Sequence, residues 1–170
     1  MMQRLYLGGA VLAAACMILI ALLTLLQVVG RVIGVMIVDA GEIAGYAMAA
    51  SIFLALAYTL REGGHIRVTL LLSHVNPKSR RALEIWCLLA FSALAIFFAY
   101  TCISFVIDSH TFGDVSTGMI TIPLWIPQLP MAIGTVLLAM ALVQETLSVL
   151  RGRQPIYEHK EDQVFSDDRV

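Results

Sequence analysis

Long apolar runs alternate with short polar connections along the chain. The runs cover about 5–30, 43–60, 85–107 and 127–150, and the first three contain no Asp, Glu, Lys or Arg. About 20 apolar residues in a helix cross the hydrocarbon core of a bilayer. The pattern therefore predicts an all-α integral membrane protein with four transmembrane helices within residues 1–150, followed by a polar tail at 151–170.

The first apolar run could also be read as a cleavable signal peptide, because Ala13 to Cys16 weakly resembles a lipoprotein cleavage box. However, the apolar core of a signal peptide is short and then stops. Here the run continues past Cys16 to Val29. We therefore favour a first transmembrane helix.

Composition supports the membrane class and excludes several others. The chain is 59% hydrophobic and 14% charged, whereas soluble domains are about 45–50% apolar and about 25% charged. The net charge of −1 provides no basic surface for nucleic acid. The three cysteines lie inside apolar runs without paired spacing, so they are interpreted as small buried hydrophobic residues.

The connection between the second and third runs is unusually apolar. Gly63 and Gly64 predict a sharp turn, because glycine tolerates backbone conformations that other residues avoid. Residues 65–75 are too short to span a membrane and are predicted to form an amphipathic helix in the interface. An irregular or strand-like loop is the alternative, since Ile66 to Thr69 alternates with period two.

The third helix is predicted to begin before its apolar run. Asn76 suits the N-cap and Pro77 the first helical position. The helix should continue to about Ile107 and project from the membrane at its basic end. Basic residues near this end should meet lipid headgroups, with a tryptophan at the interface; these residues are Arg67, Lys78, Arg80, Arg81 and Trp86.

The distribution of positive charge predicts orientation. Of the 11 Lys and Arg residues, every one except Arg31 lies in the N-terminus, in the connection between helices two and three, or in the tail. The positive-inside rule therefore places both termini in the cytoplasm. Residues on the opposite side could contact a partner protein, or in the case of the first three pair with one another; they are Arg31, Asp39, Glu42, Asp108 and Asp114.

Small residues mark one face of the second helix. Gly41, Gly45 and Ala49 recur at four-residue intervals, so they lie above one another on a helix. Small residues allow close approach of helix backbones in lipid. The face could pack against another helix of this chain or against another subunit.

The predicted spans lack the residues that membrane chemistry requires. Ionisable residues at mid-span usually mark ion paths or proton relays, and this chain has none there. Its histidines, His65, His74, His110 and His159, lie in connections or the tail, which does not suit a haem between helices. We therefore expect no enzymatic activity, no cofactor and no metal site.

Several strings together resemble a known family. They are Glu42-x-x-x-Tyr46, Arg61-Glu-Gly-Gly-His65-Ile-Arg67-Val-Thr-Leu-Leu-Leu, Asn76-Pro77-x-x-x-Arg81 with Glu84, and the stretch from Trp125 to Pro130. They are similar to the small membrane subunit, the DctQ-like or Q subunit, of tripartite ATP-independent periplasmic (TRAP) transporters. The resemblance covers nearly the whole chain except the tail. Thr69 stands where the family often has an aspartate.

The resemblance implies a scaffold in a bacterial cytoplasmic membrane. A large membrane subunit of the M type would hold the substrate and sodium sites and move as an elevator, and a periplasmic binding protein would deliver an organic acid. This chain would support the large subunit and help to dock the binding protein. The alternatives are the small subunit of a tricarboxylate-type tripartite carrier, which usually lacks the Gly-His-Ile-Arg string, or a stand-alone homo-oligomeric channel.

Overall fold

A computed structural model describes residues 2–35, 37–61 and 77–151. Four helices in it are long and apolar enough to cross a membrane, which confirms the predicted number. The predicted interfacial helix at 65–75, the turn at Gly63 and Gly64, and the tail beyond residue 151 lie outside the described residues. The helices are α1 (Met2–Val32), α2 (Ala40–Arg61), α3 (Pro77–Phe112) and α4 (Trp125–Leu150).

Two glycines end the helices that lead into the short connections. Gly34 follows α1 with φ of 76°, and the Val35 N–H donates to the Gly30 carbonyl at 2.8 Å. Gly113 follows α3 with φ of 69°. Both are glycines in the left-handed conformation within two residues of a helix end, where an L side chain would be strained.

α3 is longer than the sequence pattern predicted. It contains 36 residues, or about 54 Å at 1.5 Å per residue. The prediction ended it near Ile107 because the following residues are polar. Those residues contain no helix breaker, so the helix continues to Phe112 and stops only at Gly113.

The start of α4 contains prolines. Three prolines in eight residues, from Pro123 to Pro130, favour a rigid non-helical segment, but α4 begins at Trp125 and contains Pro130. Pro127 lies in the first turn of α4. Backbone N–H groups in a first turn have no carbonyl acceptor within the helix, so the N–H that proline lacks is not needed there. Pro130 removes one backbone hydrogen bond, which membrane helices tolerate when neighbouring groups compensate.

The helices pack as a row in the order α1–α2–α4–α3. Among the described residues, extensive contacts join α1 to α2, α2 to α4, and α4 to α3. The two edge helices are the least buried: 11% of the most apolar window of α1 and 22% of that of α3 are buried, against 28% for α2 and 39% for α4. Much apolar surface is therefore left for lipid or for another subunit.

The middle of α2 is held between two glycines. A Cβ built at Gly134 of α4 would collide with the Phe53 carbonyl group, and one built at Gly9 of α1 would lie 2.9 Å from the Leu54 carbonyl oxygen. Because lipid supplies no hydrophobic drive between helices, close backbone packing of this kind holds them together. These two glycines set the spacing of α1, α2 and α4.

The face of α2 that contains Gly41, Gly45 and Ala49 does not share the close packing seen at Gly9 and Gly134. Apart from the chain neighbours and nearby backbone of α2 itself, no atom of the described residues lies within 4 Å of a Cβ built at Gly41 or Gly45, and Ala49 is half-buried. The structure therefore shows no close intrachain approach at the two glycines. A face for another subunit stays a prediction.

A buried pair of hydroxyl groups joins α3 to α4. The Oγ atom of Ser92 in α3 lies 2.8 Å from Oγ1 of Thr146 in α4, and both residues are buried. Thr146 also donates to the carbonyl of Leu142 in its own helix. The pair satisfies two polar groups that lipid could not.

Candidate functional site

The two short connections lie together on one side of the membrane domain, where α1 and α3 end and α2 and α4 begin. Residues 33–39 join α1 to α2, and residues 113–124 join α3 to α4. We call these two segments and the first two turns of α2 the connection face. Charge distribution predicts that this end lies on the periplasmic side.

The longer connection is closed by its own hydrogen bonds. The N–H of Ser116 donates to the Ile122 carbonyl at 2.8 Å, and its buried hydroxyl donates to the Ile120 carbonyl at 3.0 Å. Val115 and Pro123 form an isolated antiparallel bridge beside it. The connection thus folds back on itself into a compact loop.

Asp39 fastens this loop to α2. Its Oδ2 atom accepts a hydrogen bond of 2.5 Å from the backbone N–H of Ile120. Asp39 has φ of 56°, a left-handed conformation that aspartate tolerates better than most residues. A carboxylate acceptor makes a backbone hydrogen bond stronger than a neutral one, so Asp39 is the main described link between the two connections.

Gly118 fits directly against the same carboxylate. A Cβ at this position would lie 3.0 Å from Cγ of Asp39 and would collide with the Glu42 carboxylate. The absence of a side chain at residue 118 therefore allows the loop to lie on the start of α2. Glu42 in turn accepts a 2.6 Å hydrogen bond from the Tyr46 hydroxyl, and a negative charge in the first turn of α2 is favoured by the helix dipole.

The other residues predicted on this side are more exposed. Arg31 is exposed and makes no ion pair with Asp39 or Glu42 in the part of the chain that the structure describes. Mutual pairing therefore does not involve this arginine. Asp108 is exposed, and Asp114 accepts a hydrogen bond of 3.1 Å from the buried Ser109 hydroxyl.

The predicted lipid-facing residues are only partly described. Trp86 is 70% exposed, near the end of the apolar part of α3. Arg67 and the side chains of Lys78, Arg80 and Arg81 lie outside the described residues, although the last three belong to the first turns of α3. Their contact with headgroups stays a prediction.

The carboxylates of the connection face bond within the chain. Within residues 2–35, 37–61 and 77–151, no group of three or more His, Cys, Asp or Glu side chains could hold a metal ion. The carboxylates of the connection face instead bind backbone and hydroxyl donors of the same chain. Their described role is to position the loop.

Comparison with family models assigns the chain. The model described as "Tripartite ATP-independent periplasmic transporters, DctQ component" matches residues 20–152, which include α2, α3, α4 and the end of α1. The chain belongs to the DctQ family. No curated protein and no solved structure matches it.

DctQ proteins are the small permease components of TRAP transporters in the bacterial inner membrane. They work with a large membrane component, DctM, and a periplasmic binding protein, DctP, in tripartite systems. The family is one of transporter components and not of enzymes. The match favours the TRAP assignment over the tricarboxylate-type subunit and the stand-alone channel.

The sequence interpretation missed the residues that build the connection face. Ser116 and Gly118 were not singled out, because a serine and a glycine in a polar connection have no periodic pattern. Their roles depend on Asp39 and Glu42, which are distant in the chain. Gly9 and Gly134 were missed for a related reason, since each is an isolated glycine within an apolar run.

Proposed function

We propose that this DctQ subunit is a static scaffold of a TRAP transporter for an organic acid. It supports a large elevator-type component and helps to dock the periplasmic binding protein. Both termini lie in the cytoplasm, and the connection face points to the periplasm. Sodium binds the large component, and this chain has no cofactor of its own.

The main observation supporting the scaffold role is the absence of a polar path through the described helices. No Asp, Glu, Lys, Arg or His lies at mid-span, and six Ser and Thr hydroxyl groups bond within their own helices. Each of the following donates to a carbonyl three or four residues earlier: Thr24, Ser51, Thr59, Thr101, Thr111 and Thr135. A solute or ion would find no sequence of polar groups to replace its hydration.

The connection face supports the docking role. Its loop is closed by Ser116 and fastened by Asp39, so little conformational entropy remains to be lost when a partner binds. Arg31 and Asp108 are exposed near this end of the row. Charged residues at the rim of an interface mainly steer association.

Reconstitution tests the scaffold role. Vesicles containing this subunit, the large component and the binding protein should accumulate a radiolabelled organic acid under a sodium gradient. Vesicles with this subunit alone should accumulate none. Transport by the subunit alone would overturn the proposal, as would full transport by the other two components without it.

Charge reversal tests the docking role. The double variant Arg31→Glu, Asp108→Lys should raise the binding-protein concentration needed for half-maximal transport by about tenfold, with little change in the maximal rate. Arg151→Glu is the matched control, because this exposed arginine follows the C-terminal end of α4, on the side opposite the connection face. An equal effect of the control, or no effect of the double variant, would remove the connection face from the docking role.

A further inference from the structure

A groove runs along the membrane-facing surface where α3 meets α4. Its volume is about 470 Å³ and its lining is almost entirely apolar. Two buried alanines, Ala99 and Ala139, lie at its base. Larger side chains form its walls: Ile96, Tyr100 and Ile103 from α3, and Val136, Met140, Val143 and Gln144 from α4. We call it the α3–α4 groove.

Tyr100 is the unusual member of this lining. It is 68% exposed and lies within the uncharged run of α3, residues 85–107. Ile107 is about 10 Å away along the helix, and Ile85 about 22 Å, at 1.5 Å per residue. Long side chains on a helix lean toward its N-terminus, so the hydroxyl is directed away from the nearer end and toward the middle of the run.

The Tyr100 hydroxyl makes no hydrogen bond within residues 2–35, 37–61 and 77–151. Lipid tails offer no acceptor at this depth, and an unpaired hydroxyl in an apolar medium is unfavourable. Buried tyrosine hydroxyls usually find a partner. Gln144 also lines the groove, but it has another interaction partner and is not bonded to Tyr100. An occupant of the groove that carries an acceptor would therefore satisfy the Tyr100 hydroxyl.

We propose that the α3–α4 groove receives a transmembrane helix of the large membrane component, and that this helix accepts a hydrogen bond from the Tyr100 hydroxyl. The proposal rests on the proposed scaffold function and adds the location of the contact. The small side chains of Ala99 and Ala139 at the bottom of the groove allow a third helix to approach closely. A backbone carbonyl or a Ser or Thr side chain of that helix supplies the acceptor.

Two other occupants fit less well. An acyl chain would fill the apolar volume, but its ester oxygens lie at the membrane interface and cannot reach mid-span. A second copy of this chain, related by a two-fold axis that passes through the groove, would bring the same concave surface against itself. Two facing grooves leave empty space that a single convex helix would fill.

Photocrosslinking in the assembled transporter tests the location. p-Benzoylphenylalanine replaces Tyr100, with Phe105 as the matched control, which is 54% exposed and lies roughly 140° around the same helix. The photoproduct at position 100 should contain the large component, and the product at position 105 should not. Crosslinking from position 100 only to lipid, or to a second copy, would overturn the inference.

Substitution tests the hydrogen bond and the fit. Tyr100→Phe removes only the hydroxyl and should make the complex dissociate roughly threefold faster. This factor corresponds to the average free energy of a hydrogen bond between membrane helices, about 0.6 kcal/mol. Met140→Trp fills the groove and should weaken the complex at least tenfold, whereas Phe105→Trp should not. An unchanged dissociation rate for both groove variants would overturn the inference.

The scaffold proposal is tested separately. If the unmodified chain co-purifies with the large component and supports transport while position 100 crosslinks elsewhere, only the location is wrong. If the unmodified chain neither co-purifies nor supports transport, the scaffold function itself fails. Thermal unfolding of each variant alone shows whether the substitution has disturbed the subunit.

Discussion

Replacing Gly134 with alanine is the most direct test of how this helix row is held together. The new Cβ would be 2.9 Å from Cβ of Phe53 and nearer still to the Phe53 carbonyl group, whereas ordinary contact begins at 3.4 Å. The obstructing atoms belong mainly to the backbone of α2. No rotamer change can relieve such a contact, so the two helices must move apart.

The expected magnitude follows from two opposing effects. Overpacking that shifts a backbone destabilises a protein by about 1–3 kcal/mol. Alanine favours a helix over glycine by about 1 kcal/mol, which offsets part of the loss. Gly134→Ala should therefore lower the free energy of unfolding by about 0–2 kcal/mol, and leave it about 1–3 kcal/mol below that of a Gly→Ala variant with no such contact.

The matched control is Gly45→Ala. Apart from the nearby backbone of α2 itself, no described atom lies within 4 Å of its new Cβ, so only the helix preference should act and stability should stay equal or rise slightly. The free energy of unfolding is measured by titrating the detergent-solubilised subunit with a denaturing detergent, with helicity as the signal. Equal stability of the two variants would refute the close packing of α2 against α4.

Three further predictions use the same kind of comparison. Gly9→Ala should destabilise less than Gly134→Ala in the same titration, because its one short contact is 2.9 Å to a carbonyl oxygen. Asp39→Ala should speed hydrogen exchange of the Ile120 amide by at least tenfold, while Asp39→Asn, which keeps an acceptor, should change it less; equal rates would contradict the link. A double-mutant cycle of Ser92→Ala and Thr146→Val should give a coupling of about 0.6 kcal/mol, and a coupling of zero would mean that the hydroxyl pair adds no stability.

The helix ends show where reading a sequence succeeds. The number of membrane helices was predictable because a bilayer requires about 20 apolar residues, and the four runs stand out clearly. The end of α3 was not predicted correctly. The prediction placed it where the residues become polar, whereas the helix ends at Phe112, immediately before Gly113. Likewise, Pro130 looked like a helix breaker, yet membrane helices accept proline.

The family assignment also came from the sequence. The Gly-Gly-His-Ile-Arg string and the approach to the last span carried the resemblance, and the family match over residues 20–152 confirmed it. Neither observation depends on the packing of the helices.

The sequence by itself determined the membrane class, the four spans and the family, because these follow from local hydropathy and from short strings of residues. Only the tertiary structure decided the order of the helix row, the glycine contacts on both sides of α2, and the attachment of the 113–124 loop to Asp39. Those features join residues far apart in the chain. In lipid, where every apolar face is equally acceptable to the solvent, the pairing of helices depends on shape and on a few hydrogen bonds, and hydropathy records neither.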